Sequence, residues 1–295
     1  MTSTTTDAGY GRRRFAIVSK MKKRMSQAAL YSVLIGWGLC AGYPFYWLIV
    51  SSFKRPYEVF SSPFAFPKEL LFSNYVDAWV LAHVGEMAQR SLYVTIASGV
   101  FAIVLASTVS YALSRFDFRG KGLLSGFLSM GFMVPETIRL LPLAIFSRKV
   151  GVYDNLVGLA LIYAARRLPF NSFLLTAFME GLPRELEEAA IMDGAGMWRV
   201  FWHITLPLSK PALVTVTTFQ VLYSWNEFIL ALMLTKSFEN RTLPVGMMML
   251  IGEFFTNFPV LFAASVVGII PGIVFFLVLQ KQVVQGVAAG ALKGV

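Results

Sequence analysis

Apolar residues run along this chain in six long blocks, at 28–50, 91–113, 122–146, 156–179, 211–234 and 259–280. Each is close to the ~20 residues a helix needs to cross the hydrocarbon of a bilayer. The pattern predicts an all-α integral membrane protein with six transmembrane helices, its two ends on the same side. Between the first two blocks, residues 51–90 carry Pro56, Pro63, Pro67 and mixed charges, which predicts an ordered external loop with short helices. The other long polar island is 180–210. There Pro183 suits the first turn of a helix, where its missing N–H costs nothing. Glu185, Glu187 and Glu188 follow near the positive end of that helix dipole, and Gly194 is a natural stop. A second short helix fits 197–204, with Trp198, Phe201, Trp202 and Thr205 at helical spacing on one face and Leu206-Pro207 ending it. Two short helices joined at a glycine, aromatic on one side and charged on the other, suit docking into a groove of another protein.

Composition narrows the class. The 295 residues are 56% hydrophobic and 14% charged, against ~25% charged in a soluble domain. Mean hydropathy is +0.64. Such a chain has too little polar surface to cover itself in water. The single cysteine, Cys40, lies in the first apolar block and excludes an internal disulfide. That block is longer than the ~7–15 apolar residues of a signal peptide, and no A-x-A cleavage site follows it, so a retained first span is expected. The domain plan is then a basic cytoplasmic tail at 1–26, whose Ser/Thr-rich start reads as disordered. A six-span permease domain at 27–295 follows, with its loop at 180–210 and a C-terminal tail at 281–295.

A net charge of +10 raises nucleic acid as a partner, but the basic residues are not gathered on a soluble domain. Membrane topology accounts for them better. With the N-terminus inside, fifteen Lys/Arg fall on the inner side and eight on the outer, and the remaining three lie within spans. The positive-inside rule therefore puts the N- and C-termini and the 180–210 island in the cytoplasm.

The spacing Glu188-Ala189-Ala190, Gly194, Ile204, Leu206-Pro207 resembles the EAA signature of the membrane subunits of bacterial ATP-binding-cassette importers. The triplet alone means little; the triplet, glycine, isoleucine and Leu-Pro in one register are specific. Further matches are Ser51-Ser52-Phe53-Lys54, Asn74-Tyr75, the run Tyr111 to Arg115, Ser224-Trp225-Asn226-Glu227-Phe228 and the tail from Gly286 to Gly294. From about Gln27 onward the chain resembles the carbohydrate subgroup, more narrowly the maltose-type second permease. The resemblance implies a type I importer permease whose cytoplasmic hairpin docks on an ATPase through Glu188, Ala189, Ala190, Gly194, Trp198, Ile204, Leu206 and Pro207. It also implies a tail that reaches the ATPase dimer through Gly286, Gly290 and Lys293; the added Val295 is a small departure. The implied partners are a second, non-identical permease, two nucleotide-binding ATPase subunits, an external or periplasmic solute-binding protein and a sugar. The implied location is the bacterial cytoplasmic (inner) membrane.

ATP chemistry belongs to those partners, which would bind the ATP and Mg; no cofactor or metal is expected here. Gly120-Lys121 lacks the glycine spacing of a phosphate-binding loop. His83 and His203 fall on opposite sides of the membrane, so neither a metal cluster nor a nucleophilic triad can form around them. The chain reads as a non-catalytic subunit.

The candidate chemistry is in the spans. Arg139 lies in the third block, and Arg166 and Arg167 lie in the fourth, within Tyr163 to Asn171. A charge at the bilayer centre costs at least ~2.5–3.5 kcal/mol, so each should face a cavity or a partner. Arg139 can pair with Glu136 one turn earlier, and Glu227 can neutralise one of the other two. Adjacent arginines point ~100° apart on a helix, and Pro169 is expected to open the backbone beyond them. Arginines grip carboxylates with two parallel donors. Arg166, Arg167, Arg139, Tyr163 and Asn171 are therefore the substrate-path candidates. The expected substrate is an acidic oligosaccharide, and the importer of alginate oligosaccharides is the acidic-sugar system the chain resembles. A neutral sugar, a glycerol-phosphate compound, or an ATPase-independent channel are the alternatives; co-purification with a nucleotide-binding protein separates the last.

Overall fold

A computed structural model describes residues 7–253 and 257–291, and every regular element among them is helical. The Ser/Thr-rich start and Lys293 lie outside the described residues. The chain divides into two compact units, one through Leu71 and one from Phe72.

The first unit holds α1 (Asp7–Ser52) and α2 (Pro56–Ser61). Within α1 the apolar stretch Gln27–Ser52 has a mean hydropathy of 1.6 and a fully exposed apolar window, as suits a helix solvated by lipid. The backbone of the basic tail from Asp7 onward belongs to the same helix. After α1, Lys54 Nζ donates to Ser62 O (3.0 Å) and Pro63 O (2.9 Å), folding the loop back over α2.

The second unit begins with α3 (Ser73–Val80) and α4 (Val84–Arg115). It continues with α5 (Lys121–Met133), α6 (Glu136–Lys149) and α7 (Leu156–Glu180). The hairpin comprises α8 (Glu185–Met192) and α9 (Met197–Val200), then a π-helical turn, Phe201–Thr205, and α10 (Leu206–Leu208). The unit ends with α11 (Lys210–Asn226), α12 (Ile229–Leu234), α13 (Leu243–Glu253) and α14 (Phe258–Ala291). The buried face of α4 is built of small residues, including Ser98, Gly99, Ala102, Ala106 and Ser110. These let α7 and α11 approach closely, which is how helices pack where hydrocarbon gives no hydrophobic drive. A buried polar chain ties the three together. Asn171 Nδ2 donates to Gln220 Oε1 (3.3 Å), Gln220 Nε2 to Ser224 Oγ (3.1 Å), and Ser224 and Ser98 hydroxyls meet at 2.7 Å.

Two of the six apolar blocks are interrupted. Among the described residues, three helices are long and apolar enough to cross a membrane alone: Gln27–Ser52, Val84–Arg115 and Phe258–Val278. The pair α5 and α6 qualifies together but is bent by 112°. Val134 precedes Pro135, and the residue before a proline is driven out of the α region; both are extended here. The second break lies at Glu227, also extended, between α11 and α12. Pro169 does not open α7, which runs unbroken for 25 residues. Its ring instead fits against Gly131 of α5, where an added Cβ would lie 2.5 Å from Pro169 Cγ.

Candidate functional site

The hairpin is built much as its sequence predicts. Gly194, at φ +84°, takes the left-handed turn after α8, and its N–H donates to Ile191 O at 2.9 Å. Its second half differs from expectation. Leu206-Pro207 does not end the helix. The backbone widens to π geometry over Phe201–Thr205, so that Pro207, without an N–H, begins a new turn instead of breaking one. Helical bonding passes on through Ser209, whose N–H donates to Thr205 O (2.9 Å), into α11. Nor do the four aromatic-face residues share one side: Phe201 and Thr205 are buried, whereas Trp198 and Trp202 are exposed. The glutamates divide likewise. Glu188 is exposed with Ala189, while Glu187 is buried and bonded to Arg115 at 2.9 Å.

The arginines converge at a second place. Arg166 of α7 pairs with Glu136, the first residue of α6, and lies 3.7 Å from Glu227 at the α11–α12 break. Glu227 also accepts the Leu230 N–H at 2.8 Å, capping α12. One arginine on a continuous helix thus holds both helix breaks. The expected Arg139–Glu136 pair does not form: Glu136 turns instead to Arg166, and Arg139 has no ion pair among the described residues. Arg167 packs over Phe170 (4.6 Å) and Tyr223 (5.1 Å), and Arg166 reaches the same Tyr223 ring at 5.6 Å. A cavity of about 680 Å³ is lined by Glu136, Arg139 and Arg166 at one part and otherwise by apolar residues such as Leu143, Phe146 and Leu161. Tyr163 and Asn171 are fully buried in the bundle and do not line it.

The sequence family of binding-protein-dependent transport system inner membrane components matches residues 87–288. The chain belongs to this family. The permease is 32% identical over 283 residues to the diacetylchitobiose uptake system permease protein NgcG of Streptomyces coelicolor, covering 95% of this chain and 90% of that one. It is 31% identical to the sulfoquinovosyl glycerol transport system permease protein SmoH of Agrobacterium fabrum, over 89% of this chain and 92% of that one. Among solved structures it is similar to a bacterial ABC transporter involved in the import of the acidic polysaccharide alginate. That match has a TM-score of 0.75 and 25% identity, covering 95% of this chain and 99% of that one. The resemblance to importers of the carbohydrate kind, read from the motifs, agrees with these relatives. The permease is a non-catalytic membrane component with an all-α fold.

The structure brings Arg166 and Arg139 to one cavity with Arg167 beside them, buries Tyr163 behind them with its ring 5.9 Å from Tyr223, and puts Asn171 in the packed interior. Gly286 and Gly290 continue the backbone of α14, so the tail starts as helix. Sequence reasoning passed over Tyr223, which lies one turn before the break at Glu227 and takes both arginines on its ring. It also passed over Arg115 as a partner of the hairpin, a contact 72 residues away in sequence that no local spacing reveals.

Proposed function

We propose that the permease carries acidic sugars, uronate oligomers such as alginate oligosaccharides, as half of the translocation path of an ATP-driven importer. The observation that carries the reading is the charge balance at membrane depth. Among the described residues Glu136 and Glu227 both meet Arg166, which leaves Arg139 without an ion pair on the cavity wall, while Arg167 packs on Phe170 and Tyr223 and does not line the cavity. A buried excess charge is costly unless a ligand or partner meets it. The alginate importer and the sulfoquinovosyl glycerol permease, both named for acidic cargo, support the same reading. The Glu136–Arg166 pair favours a second one, a neutral sugar such as the diacetylchitobiose named for NgcG, with the arginines serving structure.

In this proposal a solute-binding protein delivers the sugar to the outer face. Six crossings from this chain and those of a second, non-identical permease enclose the path. Both termini lie in the cytoplasm. Two ATPase subunits, which hold ATP and Mg, close on nucleotide, and the hairpin around Glu188, Ala189, Ala190, Gly194, Trp198, Ile204, Leu206 and Pro207 rides on them. Gly286, Gly290 and Lys293 place the tail against the same subunits. Nucleotide state then biases an inward–outward equilibrium.

The test is uptake of labelled uronate oligomers by proteoliposomes holding the whole importer. Uptake should require ATP, both ATPase subunits and the binding protein; uptake without the ATPase would mean a channel. The double variant Arg139→Gln/Arg167→Gln should lower uptake at least tenfold, since a hydrogen bond to a charged group contributes ~1.5–3 kcal/mol. Unchanged uptake would remove the acidic-sugar reading and leave the importer.

A further inference from the structure

We infer that Arg115 and Glu187 form the joint through which the hairpin moves the membrane bundle. Arg115 is the last residue of α4, and Glu187 lies in the first turn of α8. Their side chains are 5% and 10% exposed, and Arg115 Nε donates to Glu187 Oε1 at 2.9 Å. The same oxygen accepts Thr205 Oγ1 at 2.8 Å. One carboxylate oxygen therefore joins three segments: the end of α4, the first hairpin helix, and the π turn that leads into α11. Two arginines also exchange contacts across this junction. Arg115 Nη2 donates to Leu182 O and Arg184 Nη2 to Ser114 O, each at 3.4 Å. Beside them Tyr111, one turn back along α4, packs its ring, tilted, 4.9 Å from that of Phe201.

The geometry gives adjacent glutamates opposite tasks. Successive residues on a helix point ~100° apart, so exposed Glu188 faces outward while Glu187 faces the bundle. Thr205 sits both in the joint and on the helical run that continues into α11, and α11 is followed directly by Glu227, which reaches Arg166. A hairpin displaced by an ATPase thus pulls on two helices of the bundle, α4 and α11, from one point. An apolar contact slides; a buried charged group satisfied by two donors fixes register, the best-attested use of such pairs. Arg115, Glu187 and Thr205 are positioning residues in this scheme, and the scheme rests on the proposed docking of the hairpin to an ATPase.

The test compares wild-type importer, reconstituted with its ATPase, partner permease and binding protein, with Arg115→Met/Glu187→Met. Replacing a buried pair by apolar side chains of similar size is often neutral for stability, so the variant should assemble and co-purify with the ATPase as wild type does. The readout is substrate transported per ATP hydrolysed, which a merely structural role would not move. It should fall at least tenfold, and the charge-swapped Arg115→Glu/Glu187→Arg should recover at least half of the wild-type ratio. An unchanged ratio in the Met pair overturns the inference. If the Met pair fails to assemble, the swapped pair decides: assembly with a wild-type ratio supports the joint. Failure of both to assemble makes the pair a folding element and overturns it. Glu188→Lys keeps the two ideas apart. If that variant co-purifies and transports normally, the docking reading has failed, whatever the Glu187 variants do.

Discussion

Replacing Glu227 by Gln tests whether Arg166 is held from both sides or mainly from one. The two side chains are 11% and 10% exposed and lie 3.7 Å apart. At that separation, with an effective dielectric of about 20, the attraction is about 4.5 kcal/mol. Removing one member of a buried pair costs ~3–5 kcal/mol because the other charge stays buried. Glu136 still contacts Arg166 in the variant, which puts the expected loss near the lower end, about 3 kcal/mol. Gln keeps an acceptor for the Leu230 N–H, so the α12 cap survives and the change isolates charge. Glu136→Gln removes a partner whose side chain is 61% exposed, and should cost about 1 kcal/mol or less. The assay is unfolding of the purified permease complex in mixed micelles, titrated with a denaturing detergent and read by near-UV signal. Equal losses for the two variants, or a Glu227→Gln variant as stable as wild type, would refute the bridging of both helix breaks by Arg166.

Three further outcomes are expected. At Gly194 a Cβ meets nothing within 4 Å, so only the left-handed backbone (φ +84°) matters. Gly194→Val should destabilise the hairpin turn by about 1–2 kcal/mol and Gly194→Asn by less; equal uptake by both variants would contradict this. Trp198 and Trp202 are 69% and 54% exposed. Trp198→Ser/Trp202→Ser should therefore leave membrane insertion intact and lower ATPase co-purification at least tenfold, and normal co-purification would count against the docking face. Asp154 is opposed by desolvation, yet the N–H groups of Lys236 and Ser237 hold its carboxyl below the ordinary 3.8. Its stabilisation of the 235–240 loop is thus present above that value and lost as pH falls through the lowered one. Hydrogen exchange in the loop should rise below about pH 4 in wild type, but show no such step in Asp154→Asn. A step in both would assign it to another group.

Local physics made much of the permease legible before any coordinates. The hairpin turn followed from Gly194 and the glutamates of the first turn, and the long apolar runs at 28–50 and 91–113 are helical as expected. What failed was long-range. Nothing local marks 122–146 as a bent pair except Val134-Pro135, and Pro169 looked like the better breaker although Gly131 accommodates it inside an unbroken helix. The partner of Glu136 turned on the fold: Arg139 is nearer in sequence, but α7 brings Arg166 to the start of α6, where it takes the carboxylate. Glu187 was readable as a dipole-stabilising charge, yet its contact with Arg115 required the fold.

The most direct measurement is ATPase stimulation of the reconstituted importer, with its binding protein, by uronate oligosaccharides and by neutral oligosaccharides of the same length. The account predicts stimulation by the uronates and none by the neutral sugars. Stimulation by neutral sugars alone would contradict it and make Arg139, Arg166 and Arg167 structural residues of the bundle.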